Sequence, residues 1–331
     1  MAGQDKYAVF GNPIKHSKSP AIHAAFASQC SQAMQYRAVR VDEGDFEGAA
    51  KRFFDGGGRG LNITVPFKQD AFNFADRLSE RARRAGAVNT LKLADDGTVE
   101  GDNTDGIGLV RDMVANLGWV VQGLRVLIVG AGGAVRGVLE PLMRERPREL
   151  LIVNRTASRA AQLAEEFSDL GAIEGGGYEL IGERQFDLVI NASSAGLSGE
   201  MPDLPSTLLT ERSCCYDMVY GPEPTAFMRW AAHHAAWAVA DGLGMLVEQA
   251  AQSFYIWRGP RPETRPVINQ IREANRVGLS AAPCPRPAGC RCDRGSGRSA
   301  SRQGCPEGSR NCQAARSRSG RVPAGSWGSA P

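Results

Sequence analysis

Up to residue 278 the chain is short of cysteine, of long apolar runs and of positive charge, and each shortage removes a class of function. Only Cys30, Cys214 and Cys215 fall before residue 279. Cys214 and Cys215 are neighbours in a strand-like run, so they are expected on opposite faces of a sheet. They read as reduced core residues, as in a cytosolic protein. No apolar run approaches the ~20 residues that cross a bilayer. Tyr7-Ala8-Val9-Phe10 meets Gly11-Asn12-Pro13 at once, too short a stretch for a secretion signal. The expectation is a cytoplasmic enzyme with no membrane association. The net charge of +3 belongs to the chain's end. Residues 279–331 hold nine Arg, no Lys and two acids, a net of +7, which leaves −4 on the preceding 278 residues. A mildly acidic body offers no basic face to nucleic acid.

The end of the chain is different in kind. Gly, Ser, Arg, Pro and Ala dominate residues 279–331, and Leu279, Val322 and Trp327 are their only large apolar residues apart from cysteines. Such a segment cannot bury a core and is expected to be disordered. Cys290-x-Cys292 is close-spaced, but the five cysteines there fit no standard zinc pattern and no His accompanies them, so no metal site is expected. The abrupt change of composition also resembles a shifted reading frame in GC-rich DNA.

What is present is an alternating rhythm. Strand-like runs occur at 6–10, 36–41, 60–65, 86–93, 125–130, 149–154, 186–191, 214–219 and 237–240. Helix-like runs lie between most of them, at 20–32, 45–55, 105–117, 134–145, 157–167 and 225–236, and two amphipathic helices follow at about 244–258 and 265–276. This predicts parallel βαβ units, and 331 residues suggest about two domains.

Leu61-Asn62-Ile63-Thr64-Val65-Pro66-Phe67-Lys68 starts as a strand that Pro66 stops. Asn62, Thr64 and Lys68 are thereby left near a strand end, where open α/β sheets bind ligands. Two neutral hydrogen-bonding side chains and an amine suit a small polyhydroxylated molecule. A surface strand with a solvated lysine is the plainer reading. Val126-Leu127-Ile128-Val129-Gly130-Ala131-Gly132-Gly133-Ala134 is a buried strand, a glycine turn and a helix start. Gly130 permits the turn, Gly132 lets a pyrophosphate approach the backbone, and the helix N-terminus supplies free N–H groups. The next strand ends in Asn154-Arg155-Thr156, with no acid to accept from ribose hydroxyls. Arg155 offers a cationic donor fork to a 2′-phosphate instead, which favours NADP(H) over NAD.

His16-Ser17-Lys18-Ser19-Pro20 precedes a helix, with Pro20 suited to N1 and Ser19 to N-cap. Two hydroxyls there also suit a carboxylate. Gly86-Ala87-Val88-Asn89-Thr90 and Gly101-Asp102-Asn103-Thr104-Asp105-Gly106 are polar loops attached to strands. Asp105 is either a helix-start acid or a carboxylate able to pair with Lys68.

Together with Asp217-Met218-Val219-Tyr220 and Ala240-Asp241-Gly242-Leu243-Gly244-Met245-Leu246-Val247-Glu248-Gln249-Ala250, these motifs resemble the shikimate dehydrogenase family over about residues 6–276. Ser193 in Asn191-Ala192-Ser193-Ser194-Ala195-Gly196 stands where that family often has Thr, and the segment from 279 has no counterpart in it. The resemblance implies an α/β fold of two domains. An α/β substrate-binding domain would span 1–104, rejoined by 242–278. A Rossmann-like, doubly wound NADP-binding domain would span 105–241, leaving 279–331 as a tail. It implies reversible reduction of 3-dehydroshikimate to shikimate by NADPH. Ser17 and Ser19 would hold the substrate carboxylate. Asn62, Thr64, Asn89, Asp105 and Gln249 would hold its ring hydroxyls, with Tyr220 nearby. Lys68 would be the general acid/base beside Asp105, or a group that mainly orients and polarises the reacting oxygen. Gly130, Ala131, Gly132, Gly133, Ala134, Asn154, Arg155, Thr156, Met218 and Gly242 would line the NADP site, with Glu80 near the nicotinamide end. The expected partners are small molecules, as a monomer or homodimer. Two alternatives stay open: a quinate/shikimate dehydrogenase that uses NAD, and a non-catalytic ligand sensor on the same fold.

Overall fold

Two six-stranded sheets organise the chain in the computed structural model, which describes residues 4–193, 195 and 200–280. The first contains β1 (Asp5–Gly11), β2 (Met34–Arg40), β3 (Gly58–Ile63), β4 (Arg77–Leu78), β5 (Thr90–Leu93) and β6 (Val99–Asp102), in the order β2-β1-β3-β5-β6-β4. β1 is parallel to β2 and β3, as the rhythm predicts. Beyond β3 the prediction fails, because β3 with β5 and β5 with β6 are antiparallel. Leu93 and Val99 are too close in sequence for a crossover helix, so the chain turns back on itself. The Ala94 N–H donates to Thr98 O at 2.9 Å, and Asp96 accepts from the Thr98 N–H and hydroxyl. Asp96-Gly97 was the readable signal for this hairpin.

Four helices accompany this sheet: α1 (Ser19–Gln29), α2 (Phe46–Asp55), α3 (Lys68–Phe74) and α4 (Glu80–Ala85). The last two are absent from the sequence reading. Lys68 is therefore the first residue of a helix, not the end of a strand. β3 stops at Ile63, and a turn closed by Phe67 N–H to Thr64 O (3.0 Å) carries the chain into α3.

The second sheet is parallel throughout: β7 (Arg125–Val129), β8 (Glu149–Val153), β9 (Ile173–Gly176), β10 (Phe186–Asn191), β11 (Leu209–Asp217) and β12 (Ala238–Asp241). Its order is β12-β11-β10-β7-β8-β9, so the chain reverses direction across the sheet between β7 and β10. Ligands of doubly wound sheets bind outside the strand ends at such a reversal. Helices α5 (Asp105–Arg111), α6 (Gly133–Arg144), α7 (Ala157–Glu166) and α8 (Ala226–His233) go with it. The strands are apolar without alternation because both faces are covered. Val126 and Ile128 join one core cluster, Leu127 and Val129 the other. Cys214 and Cys215 divide the same way, as expected, and burial pushes their thiols up to about 11 and about 12.

The helix expected over 105–117 changes pitch midway. α5 ends at Arg111 and a π-helical turn covers Asp112–Asn116. The Asp112 carboxylate is buried there, held by Tyr216 Oη at 2.7 Å and Asn116 Nδ2 at 3.0 Å. Burial still raises its pKa above the ordinary value.

The chain then returns to the first sheet. α9 (Leu243–Arg258) and α10 (Arg265–Ser280) bury Val247, Phe254, Ile268 and Ile271 against Ile22 and Phe26 of α1. Trp257 Nε1 donates to Leu91 O at 2.9 Å. α10 reaches Ser280, past the expected end at 276, and the rest of the expected tail lies outside the described residues.

α5 is wedged between α6 and α9, and glycine makes this possible. A Cβ on Gly106 would stand 2.5 Å from Gly137 O and 2.6 Å from Pro141 Cγ. Gly106→Ala must push α5 and α6 apart, so we expect a loss of about 1–3 kcal/mol, the usual cost of overpacking. Thermal unfolding tests this, and an unchanged Tm would show that α6 yields freely.

Candidate active site

A cleft of about 390 Å³ opens where the carboxyl ends of β1 and β3 face the start of α9. It is lined by Ser17, Ser19, Asn62, Thr64, Lys68, Asn89, Asp105, Met218, Tyr220, Gly242 and Gln249, all singled out from the sequence. His16 and Lys18 add to its polar wall, and Met245 and Leu246 to its apolar one.

Its centre is one ion pair. Lys68 Nζ donates to Asp105 Oδ2 at 2.5 Å, the lysine half-buried and the aspartate nearly buried. Asn89 Nδ2 donates to the other carboxylate oxygen, Oδ1, at 2.8 Å. The two groups come from the first turns of α3 and α5, and Asn89 from the loop ahead of β5. A carboxylate removed from water needs such partners. Asn89 is held in turn: its Oδ1 accepts from the Thr104 N–H at 2.9 Å and from Thr90 Oγ1 at 2.9 Å. Gln249, on α9, brings Oε1 to 3.4 Å from Asn89 Nδ2.

Ser17 and Ser19 lie together at one end of the cleft. The capping explanation for Ser19 fails: α1 begins at Ser19, its N-cap is Lys18, and no side chain caps it. Ser17 Oγ instead accepts from the Ser19 N–H at 3.3 Å. Ser19 Oγ also hydrogen-bonds with the Tyr36 hydroxyl, and two hydroxyls at the head of a helix suit an anionic group. Tyr220 closes the wall, its hydroxyl pKa raised by burial and further by Asp241.

Asn62 lies below this layer with its amide fully engaged. Oδ1 accepts from Tyr36 Oη at 2.8 Å and faces His23 Nε2 at 3.1 Å. Nδ2 donates to Ser253 Oγ at 2.9 Å and lies within reach of Asn89 O and Thr90 Oγ1. His23, Tyr36 and Ser253 were not found from the sequence. No motif marks them, and a histidine on the apolar face of a helix reads as core. His23 is fully buried against Tyr36, 4.2 Å between ring centroids, and burial lowers its pKa to about 3.

The glycine turn stands apart, at the end of β7. Gly130 has φ +119° and a Cβ there would touch Ala192 O at 2.9 Å. A Cβ on Gly132 or Gly133 would meet nothing within 4 Å. Among the described residues nothing fills the space beside them, and the first turn of α6 directs N–H groups without helical partners toward it. Ala131 and Ala134 flank that turn, and the exposed Arg155 follows β8, with Asn154 Nδ2 closing back on Thr156 O at 3.0 Å. Accessible backbone, a helix N-terminus and a guanidinium with no ion pair among the described residues fit a dinucleotide phosphate. Asp217 and Asn191 fasten the loops after β10 and β11: Asn191 Nδ2 donates to Asp217 Oδ1 at 3.1 Å, and Asp217 accepts from Thr225 Oγ1 at 2.6 Å. Glu80 begins α4, is exposed, lies outside the cleft lining, and faces Arg144 at 3.6 Å. Asp102 serves the frame, held by Arg81 in a bidentate pair and by Ser79. Among the described residues no cluster of His, Cys, Asp and Glu could hold a metal ion, and no helix is long and apolar enough to cross a membrane.

A parallel sheet with its strand order reversed about a glycine turn, joined to a mixed sheet carrying a lysine–aspartate pair, defines a dinucleotide-binding α/β protein with a second, polar ligand cleft. Three family models match: the shikimate dehydrogenase substrate binding domain at residues 9–91, shikimate / quinate 5-dehydrogenase at 114–196, and the shikimate 5′-dehydrogenase C-terminal domain at 242–272. The chain is 54% identical over 276 residues to "Shikimate dehydrogenase (NADP(+))" of Saccharophagus degradans, covering 82% of this chain and 99% of that one. It is 58% identical to the protein of that name in Alkalilimnicola ehrlichii, covering 81% and 98%. Among solved structures, the Ael1 enzyme from Pseudomonas putida matches with TM-score 0.78 and 46% identity, covering 81% of this chain and 98% of that one. Shikimate 5-dehydrogenase from Thermus thermophilus, in complex with NADP(H) and shikimate, matches with TM-score 0.71 and 33% identity, covering 83% and 100%. The chain belongs to the NADP(+) shikimate dehydrogenase family.

His23 makes the fold sensitive to acid. Its ordinary pKa of 6.5 falls to about 3 in the fold. The unfolded chain takes up a proton below pH 6.5 and the folded chain resists it, so stability falls as pH drops from 6.5 towards 3, by about 1.4 kcal/mol per pH unit. Between pH 7.5 and 5 the parent should lose about 2 kcal/mol more than His23→Gln in denaturant unfolding. Equal losses would show that His23 is not the group responsible.

Proposed function

We propose that the chain catalyses the reversible NADPH-dependent reduction of 3-dehydroshikimate to shikimate, a step of aromatic amino-acid biosynthesis. The observation that carries this reading is the Lys68–Asp105 pair at 2.5 Å, inside a cleft that also presents Ser17, Ser19 and Asn89. The relatives' names give both substrate and cofactor. The alternatives of quinate with NAD and of a non-catalytic sensor are not favoured: no acid follows β8, and both Lys68 and Asp105 are in place. In this reading residues 1–104 and 242–278 form the substrate domain and 105–241 the cofactor domain. Free thiols at Cys30, Cys214 and Cys215 suit a cytoplasmic setting.

When bound, NADP(H) supplies or accepts the hydride. Ser17 and Ser19 hold the substrate carboxylate, while Thr64, Asn89, Asp105 and Gln249 fix the ring hydroxyls; Asn62, expected among them, has its amide engaged by Tyr36 and Ser253 and supports this set from beneath. Such positioning converts a bimolecular encounter into an oriented one. As hydride arrives at the carbonyl carbon, negative charge grows on its oxygen. The Lys68 ammonium, already steered by Asp105, stands to donate a proton there, and in the oxidation direction Lys68 receives it. Arg155, with Asn154 and Thr156 beside it, engages the 2′-phosphate. Gly130 to Ala134 would receive the pyrophosphate, and Met218 and Gly242 would line the same NADP site.

Two substitutions test these roles. Lys68→Ala should lower kcat by roughly 10²–10⁴-fold, the range for general acid–base groups, and move the substrate KM much less. Near-normal kcat with a greatly raised KM would make Lys68 a binding residue only. Arg155→Ala should cost NADPH on the order of 1.5–3 kcal/mol, a charge-assisted contact, and leave NADH almost untouched. Equal losses for both cofactors would assign Arg155 a structural role.

A further inference from the structure

The polar side chains beneath the cleft form a line with one direction. Asn62 Oδ1 faces two groups, Tyr36 Oη at 2.8 Å and His23 Nε2 at 3.1 Å, and the tyrosine hydroxyl donates to it. An amide oxygen can only accept, so His23 must carry its proton on Nε2. A flipped Asn62 would set this oxygen against the Asn89 carbonyl, which Nδ2 now meets at 3.2 Å. From Nδ2 the line continues to Ser253 Oγ at 2.9 Å. Ser253 Oγ lies 2.7 Å from Thr90 Oγ1 and 3.1 Å from Gln249 O, which can only accept; with the Thr90 hydrogen directed to Asn89 Oδ1, Ser253 is the donor in the 2.7 Å contact and shares its hydrogen with Gln249 O. Thr90 in turn donates to Asn89 Oδ1 at 2.9 Å. With that oxygen occupied, Asn89 turns Nδ2 to Asp105 Oδ1 at 2.8 Å. Every member from His23 to Asn89 is buried, and only Asn62 and Asn89 reach the cleft wall, which strengthens these hydrogen bonds.

We infer that His23 is a positioning residue for the Lys68–Asp105 pair, acting through the directed chain His23–Asn62–Ser253–Thr90–Asn89. The imidazole touches neither the cleft nor Asp105. It holds the Asn62 oxygen, and each donor after it makes its shortest hydrogen bond to the next member of the line. Its other nitrogen, Nδ1, is buried and finds no partner among the described residues, so the ring's hydrogen bond among them is the one to Asn62. Nothing in the cleft or the glycine turn needs a histidine in α1, and the ring's stacking on Tyr36 and Phe254 could be met by a phenylalanine.

The inference rests on the proposed reaction, and its test separates the two. With shikimate and NADP+, His23→Phe should keep the ring stacking and lower kcat about tenfold, the effect of one buried hydrogen bond withdrawn from the line. KM for NADP+ should move less than about twofold, because the cofactor site is untouched. His23→Gln, whose amide N–H can reach Asn62, should recover most of the loss. Ser253→Ala should cut the line at a second point with a similar fall in kcat. The double variant His23→Phe/Ser253→Ala should be no worse than the weaker single, since both break one line. Full kcat in either folded single variant, no recovery with Gln, or losses that multiply would overturn the inference. A second readout needs no turnover. ¹⁵N spectra of the imidazole should show a neutral ring protonated at Nε2, and His23→Phe should shift the Asn89 side-chain amide signal, assigned with Asn89→Asp. Protonation at Nδ1, or an unmoved Asn89 signal, would also overturn it. A parent protein inactive on shikimate but with these spectra would refute the proposed reaction and leave the line standing.

Discussion

A carboxylate that is nearly out of water must find donors, and the architecture around Asp105 follows from that constraint. Its two oxygens are met by Lys68 and Asn89, which come from different elements of the first sheet. Asp105 itself opens α5, the helix that leads into the second sheet. The pair therefore fixes α3, the loop ahead of β5 and α5 relative to one another at the floor of the cleft. Coulomb attraction at this depth is stronger than at the surface, but desolvation works against it. The pair is therefore best seen as specifying an arrangement rather than as a large net stabiliser. Its energy is in place before any ligand arrives, which is what preorganised catalysis requires.

Support for that arrangement is layered. Thr104 and Thr90 hold Asn89, and Asn62 sits under both. α9 closes the system from the other side, contributing Gln249 to the cleft and Ser253 to the layer below. One helix turn separates these two residues, so both point the same way. The tight passage of α5 between α6 and α9 lets this one helix serve both layers. The same passage ties the cleft to α6, whose first turn stands beside the open backbone of the glycine turn.

Much of this was legible in the sequence, for definite reasons. The second sheet was readable because its strands are doubly buried and carry unbroken runs such as Val126–Val129 and Leu150–Val153 between helical periods. β9 escaped because Glu174, Gly175 and Gly176 break the apolar pattern at a sheet edge. In the first sheet the antiparallel hairpin was missed although Asp96-Gly97 marked it. α3 and α4 were missed because seven and six residues are too few to show a period. The cleft residues were found because each sits in a short polar motif at a strand end or helix start. His23, Tyr36 and Ser253 were not, since each lies inside a regular element, outside any polar motif, and gains meaning only through tertiary contact. Ser19 looked like a cap and is not one. Glu80, expected near the cofactor, stands on an exposed helix start against Arg144.

The central claim is that one cleft, built on Lys68 and Asp105, oxidises shikimate with NADP+. The most direct measurement is initial-rate absorbance at 340 nm for the purified chain with shikimate and NADP+, run beside quinate and beside NAD+. The account predicts NADPH formation that saturates in shikimate, with kcat/KM highest for the shikimate and NADP+ combination. No reduction of NADP+ by shikimate, or a clear preference for quinate with NAD+, would contradict it.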